Sequence, residues 1–268
     1  MIAKSIHHFV VPFYYQMPVQ KTHAIVIRTF PLGEFDKIIT FYTADFGKVR
    51  AVARSIRRPK SRFGGSLELL NYGTLLFFER PNRDLQIVNN FDLIDAFDGI
   101  KADFDRTVYG CYLAELIDAI ESERSINRNV FELLRGAFDT LGDVHDITLL
   151  ARAFELKFLD LTGYAPQLSH CVVCASPVLN PTLLFSSRLG GLLCTGCADK
   201  DTNAVPIVRG SCELMKQIRK SDLRYLARLR ASDLNHRELK SVLSSFISYH
   251  TERTLKSLKL IENLETLP

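Results

Sequence analysis

Lys48-Val49-Arg50-Ala51-Val52-Ala53-Arg54-Ser55-Ile56-Arg57-Arg58-Pro59-Lys60-Ser61-Arg62, followed by Phe63-Gly64-Gly65, changes pattern halfway along. Its first half sets Val49, Ala51 and Ala53 against Lys48, Arg50 and Arg54, the alternation of a half-buried strand. Its second half loses that alternation, and Pro59 prevents a regular ladder or helix there. Seven Lys or Arg residues and no acid lie between Lys48 and Arg62. A strand that runs out into a basic loop presents cations to a phosphate backbone. Read alone, the same stretch is equally a solvated basic loop without a partner.

The neighbouring sequence places this strand in a barrel. Further strands are predicted at Thr22–Phe30, Asp36–Thr43, Leu70–Arg80 and Asp84–Asn90, with turns at Pro31-Leu32-Gly33, Asp45-Phe46-Gly47 and Pro81-Asn82-Arg83-Asp84. Five short strands in one segment suit a small β-barrel such as an OB-fold, with an SH3-like barrel or a simple meander as the structural alternatives. The period changes near Asp98-Gly99. Helices are predicted at Asp103–Glu121, Asn129–Leu141 and Ile147–Leu161, then at Cys212–Arg219 and Asn235–Leu258. Cys111 falls on an apolar helical stripe and reads as a core cysteine.

The fold expected is therefore α+β and multidomain. Residues 22–98 form the barrel, 99–168 with 202–260 a helical domain, and 169–201 an inserted cysteine unit. Residues 1–21 are an N-terminal extension and 261–268 a C-terminal tail. Met17 is an alternative start, which an N-terminal mass of the native protein would decide.

Charge divides along the same lines. Residues 21–90 carry twelve Lys or Arg against six acids, and 91–160 carry seven against fifteen, within a net charge of +4. A basic module joined to an acidic one favours a polyanionic partner for the former. No run approaches the roughly 18–20 apolar residues that span a bilayer, and residues 1–16 lack a signal-peptide pattern. Six cysteines without a secretory signal point to a reducing, cytoplasmic setting and to metal rather than disulfides.

Cys171-Val172-Val173-Cys174, nineteen residues, then Cys194-Thr195-Gly196-Cys197 is the most specific pattern in the chain. Each Cys-x-x-Cys knuckle turns two thiolates toward one ion, and the spacer accommodates a hairpin that brings the knuckles together. The expectation is a zinc ribbon holding one structural Zn²⁺, with a redox dithiol or uncoordinated cysteines as the alternatives. Four thiolates close the coordination shell. Cys212 lies outside the pattern as a buried or spare thiol, and His170 is expected beside the site or on the surface rather than in it. No nucleotide loop, nucleophile elbow or paired-carboxylate set is evident, so no catalytic residue is nominated.

The candidate DNA contacts are Lys48, Arg50, Arg54, Arg57, Arg58, Lys60 and Arg62, with Arg28 and Lys37 as lesser candidates whose strand faces periodicity does not assign. Phe41, Tyr42 and Phe63 are candidates to stack on bases, core packing being expected for at least one of Phe41 and Tyr42. Arg62 or Arg58 is expected to pair with Glu68. A second basic run, Lys216, Arg219, Lys220, Arg224, Arg228 and Arg230, reads either as solvated helix faces or as a docking strip for an acidic peptide or for more phosphate, the first five being the candidates for the acidic peptide.

These blocks resemble the RecO family of bacterial recombination mediators. The resemblance rests on Pro31-Leu32-Gly33-Glu34-Phe35-Asp36, Gly47–Ala53, Arg57–Glu68, Gly163-Tyr164-Ala165-Pro166, the four cysteines and Phe185–Gly191. It implies an N-terminal OB-fold, a helical domain, a zinc ribbon and no catalytic residue. It further implies binding of single- and double-stranded DNA, annealing of complementary strands, and cooperation with RecR so that RecA replaces single-strand-binding protein. The acidic C-terminal tail of that protein is an implied partner. A zinc-ribbon adaptor whose basic surfaces read acidic protein tails rather than DNA is the rival expectation.

Overall fold

The computed structural model describes residues 18–80, 82–178, 180, 182–251 and 255–265, without the side chains of 227, 228 and 262–265. The expectations for residues 1–17, including the start at Met17, lie outside the described residues.

Five strands close a barrel: β1 (Val19–Leu32), β2 (Asp36–Thr43), β3 (Gly47–Ala53), β4 (Tyr72–Phe78) and β5 (Leu85–Asp95), in the order β1-β2-β3-β5-β4. Long β1 makes this closure, pairing antiparallel with β2 through one half and with β4 through the other. The seam between β3 and β5 is parallel and short, from Arg50↔Leu85 to Val52↔Ile87. This is the OB-type barrel expected. Inward-facing Ala24, Val26, Ile39, Phe41, Val49, Ala51, Leu75, Phe77, Val88 and Phe91 fill it, and alternate residues face out as the pleat requires.

The basic segment after β3 is tightly folded. Successive turns, Ser61 N to Arg58 O at 3.0 Å and Gly64 N to Ser61 O at 3.2 Å, coil it against the barrel. Phe63 and Leu67 drop into the barrel core and anchor it. The Asn71 amide donates to Gly65 O and Ser66 O, at 3.0 and 2.8 Å, and closes the loop from below. The arginines therefore project from a fixed backbone.

A helical body follows: α1 (Asp98–Lys101), α2 (Phe104–Ile120), α3 (Arg128–Leu141) and α4 (Ile147–Leu161), then α5 (Arg209–Lys220), α6 (Asp233–Thr251) and α7 (Lys256–Glu265). Asp103, Asn127 and Asp146 cap α2, α3 and α4 by accepting from Arg106 N, Val130 N and Leu149 N, as residues of that type do at helix starts. The predicted helix Asn235–Leu258 is two helices, with residues 252–254 between them outside the described residues. Residues 261–265, expected as tail, continue α7, and Ile261 is buried. The Glu115 carboxylate of α2 caps α7, accepting from Lys256 N at 3.0 Å and Ser257 N at 2.8 Å.

The cysteine unit is built on a three-stranded sheet, β6 (Thr182–Ser186), β7 (Gly191–Leu193) and β8 (Val205–Val208), in the order β7-β6-β8. Leu183, Phe185, Leu192 and Ile207 on this sheet join the core of the helical body, and Phe185 meets Phe246 of α6 edge-on at 5.7 Å. The ribbon is thus packed into the helices rather than tethered to them. Cys212 is fully buried, and its thiol is pushed up to about 12 by desolvation. Cys111 is only half-buried, lining a cleft between β1, α2 and α7 instead of the core.

Candidate nucleic-acid interface and metal centre

Strand register sorts the candidate cations by face. In β1 a bulge between Val26 and Arg28 shifts the pairing with β2. Unbroken alternation from Ala24 and Val26 would send Arg28 inward, and the bulge turns it out instead. Arg28 pairs with Thr40, and Thr40 with Arg50, so Arg28 and Arg50 share a row across the outer face of β1, β2 and β3. Lys37 pairs with Ala53, an inward position, and lies half-buried at the barrel rim. Arg50, Arg54, Arg57, Arg58, Lys60 and Arg62 are exposed.

Several of these side chains are held. The Arg57 guanidinium donates to Gly33 O at 3.3 Å. Arg58 lies over the Phe35 ring at 4.6 Å. Arg62 lies over Phe63 at 4.8 Å and donates to Val88 O at 3.4 Å. Neither Arg58 nor Arg62 pairs with Glu68, which faces Lys101 at 4.0 Å instead. Aromatic and backbone partners orient these cations without neutralising them.

Lys48 differs from the rest. It is 8% exposed, and its ammonium donates to Asp118 O at 2.8 Å and approaches Asp118 Oδ1 at 3.3 Å. Arg28 donates to the other oxygen, Asp118 Oδ2, at 2.8 Å. One carboxylate near the end of α2 therefore gathers two barrel cations and clamps the barrel to the helical body. Beside it Glu121 is buried, and desolvation raises its carboxyl despite the nearby Lys48 charge. Gly47 belongs to the same junction: its φ of 62° suits glycine, and a Cβ there would overlap the Ser125 backbone. Lys48 is a structural cation here, not an open phosphate contact.

The candidate stacking aromatics are all buried, including Phe41 and Tyr42, of which at least one is expected in a core. Phe41 lies inside the barrel. Tyr42 faces outward but is covered by the helical body, its hydroxyl raised by desolvation and then by Glu121. Phe63 is 4% exposed in the barrel core. None presents a ring face to solvent.

The four cysteines converge. Their sulfur atoms all lie within 4.8 Å of one another, with Cys174 and Cys194 at 3.6 Å. The backbone turns expected of two knuckles are present, Ala175 N to Cys171 O and Cys197 N to Cys194 O, each at 3.0 Å. Burial opposes ionisation of Cys171, but amides of Cys174, Cys194 and Val173 outweigh it and bring the thiol to about 6. Cys171 and Cys197 are buried while Cys174 is exposed, so the cluster opens to solvent on one side. His170 is exposed and outside the cluster. Four sulfur donors so disposed can hold a metal ion.

The second basic run is largely neutralised from within. Lys216 pairs with Glu213 at 2.9 Å, Arg219 with Asp160 at 2.6 Å, and Arg224 with Asp222 at 2.9 Å. Arg219 also donates to Pro166 O at 3.2 Å, so it ties α5 both to the end of α4 and to the segment that follows it. Lys220 keeps no ion pair among the described residues, and the Arg228 side chain lies outside them.

Sequence reasoning missed Asp118, because a single carboxylate on an acidic helix carries no local signal of a partner 90 residues earlier. It also missed Phe30, 44% exposed on the outer face of β1 with Arg28 over its ring at 4.3 Å. An Arg-x-aromatic pair on a predicted strand was the available signal.

An OB-type barrel with a cationic outer rim, joined through a carboxylate clamp to a helical body with a four-thiol ribbon, defines the class. The family described as Recombination protein O N terminal matches residues 17–97, and Recombination protein O C terminal matches 101–259. Proteins named DNA repair protein RecO are similar over nearly the whole chain. That of Syntrophus aciditrophicus is 34% identical over 92% of this chain and 96% of its own. That of Symbiobacterium thermophilum is 33% identical over 93% and 99%, and that of Pelotomaculum thermopropionicum 32% over 94% and 97%. The chain belongs to the RecO family of DNA repair proteins. No helix among the described residues is long and apolar enough to cross a membrane.

Proposed function

We propose that this protein is a cytoplasmic, non-enzymatic recombination mediator that binds single- and double-stranded DNA and anneals complementary single strands. With RecR, it helps RecA load onto DNA covered by single-strand-binding protein, whose acidic C-terminal tail it recognises. The observation that carries this reading is the group Arg54, Arg57, Arg58, Lys60 and Arg62. All five are exposed, and none makes an ion pair among the described residues. Cations on a fixed loop neutralise phosphates and release counterions, and screening two strands lowers their repulsion during pairing. No covalent bond need form or break. Cys171, Cys174, Cys194 and Cys197 would hold one structural Zn²⁺, whose closed thiolate shell supplies rigidity to the ribbon.

Binding of single-stranded DNA is measured across a salt series from about 50 to 200 mM. A steep fall in affinity is expected. Replacing Arg57, Arg58 and Lys60 by Ala should flatten the slope of log K against log salt by about 2, at roughly 0.7 per phosphate contact on a single strand. An unchanged slope removes the loop from the interface. Annealing of strands coated with single-strand-binding protein, with and without its acidic tail, then tests tail recognition. The adaptor reading gains less support, because most of its basic strip already has carboxylate partners.

A further inference from the structure

The row of Arg28, Thr40 and Arg50 has a neighbour on the same outer face. Two residues further along each strand, Phe30 pairs with Ile38 and Ile38 with Val52. These three side chains belong to neither the barrel core nor the helical core. Ile38 and Val52 are half-buried, and Phe30 is 44% exposed. An apolar row with an aromatic at one end therefore runs beside a cationic row, about 7 Å away along the strands. Arg54, exposed immediately after β3, extends the cationic margin. Arg28 lies against the Phe30 ring while donating to Asp118, so the guanidinium beside the ring is fixed from the helical body.

An apolar row with cations on its margins matches a polymer of flat rings joined by phosphates. Arg28 is already committed to Asp118, whereas Arg50 reaches Glu123 only at 4.0 Å and Arg54 has no ion pair among the described residues. A protein partner's apolar segment would leave these last two poorly compensated. We propose that the face around Phe30 is a base-stacking platform for single-stranded DNA, with bases on Phe30 and the Ile38–Val52 floor and phosphates toward Arg50 and Arg54. It rests on the DNA-binding reading above and assigns the base contact that buried Phe41, Tyr42 and Phe63 do not make. Stacking on an aromatic ring tolerates any base, so the platform confers preference for unpaired strands without sequence choice.

The chain contains no tryptophan, so a Phe30→Trp variant reports from this face alone. Two probes of equal length are titrated: oligothymidylate and an abasic deoxyribose-phosphate oligomer. Oligothymidylate should quench the fluorescence of the introduced indole, and the abasic strand should bind without quenching it. In the otherwise native chain, Phe30→Ala should weaken oligothymidylate binding about 5- to 150-fold and spare the abasic strand and the salt slope. Phe30→Tyr should restore most of the loss, which separates stacking from a folding defect. Equal quenching by both strands, or unchanged oligothymidylate affinity in Phe30→Ala, overturns the platform while leaving phosphate binding intact. Absence of salt-dependent binding of either strand by the native protein overturns the DNA reading itself, and the platform with it.

Discussion

The loop after β3 and the run from Lys216 to Arg224 have similar charge in the sequence and opposite fates in the fold. In the loop, Arg57, Arg58 and Arg62 rest on a carbonyl, a ring, and a ring with a carbonyl, none of which cancels charge. In the helical body, Lys216, Arg219 and Arg224 each meet a carboxylate within 3 Å. The first arrangement keeps cations available and oriented; the second uses them to fasten α5 and the turn after it. A charge run thus predicts a ligand only when its partners inside the fold are known.

Metal removal tests how separable the two regions are, and it carries the largest expected effect. Structural zinc contributes roughly 10–16 kcal/mol of apparent binding free energy in finger peptides. Here the ribbon's inner face is part of the helical core. Chelation, or joint replacement of Cys171 and Cys197 by Ser, should lower the thermal midpoint of the helical body and abolish order in β6–β8. The salt slope of single-strand binding should survive, since the barrel has its own core. Parallel loss of both would show that the loop depends on the ribbon.

Asp118 offers a finer cut within the barrel's own cations. Replacing it by Asn leaves Lys48, with a side chain 9% exposed, beside a neutral amide. The expected cost is about 2–4 kcal/mol in urea denaturation, because breaking a largely buried pair strands a charge. DNA affinity should hold or rise, since Arg28, 48% exposed at its side chain, is released toward solvent. A fall in affinity larger than the fall in stability would instead make the clamp part of the interface.

Much of this architecture was readable beforehand, for identifiable reasons. Turn chemistry and alternation located all five barrel strands, and the two Cys-x-x-Cys knuckles meet as their spacing implied. What failed was the assignment of side chains to faces. The bulge at Val26/Arg28 reverses parity in the middle of β1, and no residue type announces it. Phe63 directly follows seven cations in sequence yet is the plug that holds their loop, because glycine and turn residues beside it let the chain double back. Lys48 reads as one more cation in an alternating strand, and only the approach of α2 converts it to a buried anchor. Local pattern specified elements; contacts between distant segments specified which charges were free.

Two smaller effects probe the neutralised run itself. Arg219→Ala should cost about 1–2 kcal/mol, through loss of a partly exposed ion pair and of the bond to Pro166 O. It should leave single-strand affinity unchanged, whereas a matching loss of DNA binding would erase the contrast with the loop. Asp222 gives the smallest and most specific signal. Hydrogen bonds from the Arg224 side chain and backbone hold its carboxyl down at about 2, against about 3.9 for an unperturbed aspartate. A folded-state value below the unfolded one favours the folded protein above the unfolded pKa, and that contribution disappears as pH falls through the folded value. Native protein and Asp222→Asn should therefore differ in denaturation midpoint at pH 5 and converge between about pH 4 and pH 2. The Asn carbonyl can still accept from Arg224 N, so the difference isolates the charge from the cap. Equal midpoints already at pH 5 would mean the turn is held by its backbone bond alone, and that Arg224 is not committed to Asp222 after all.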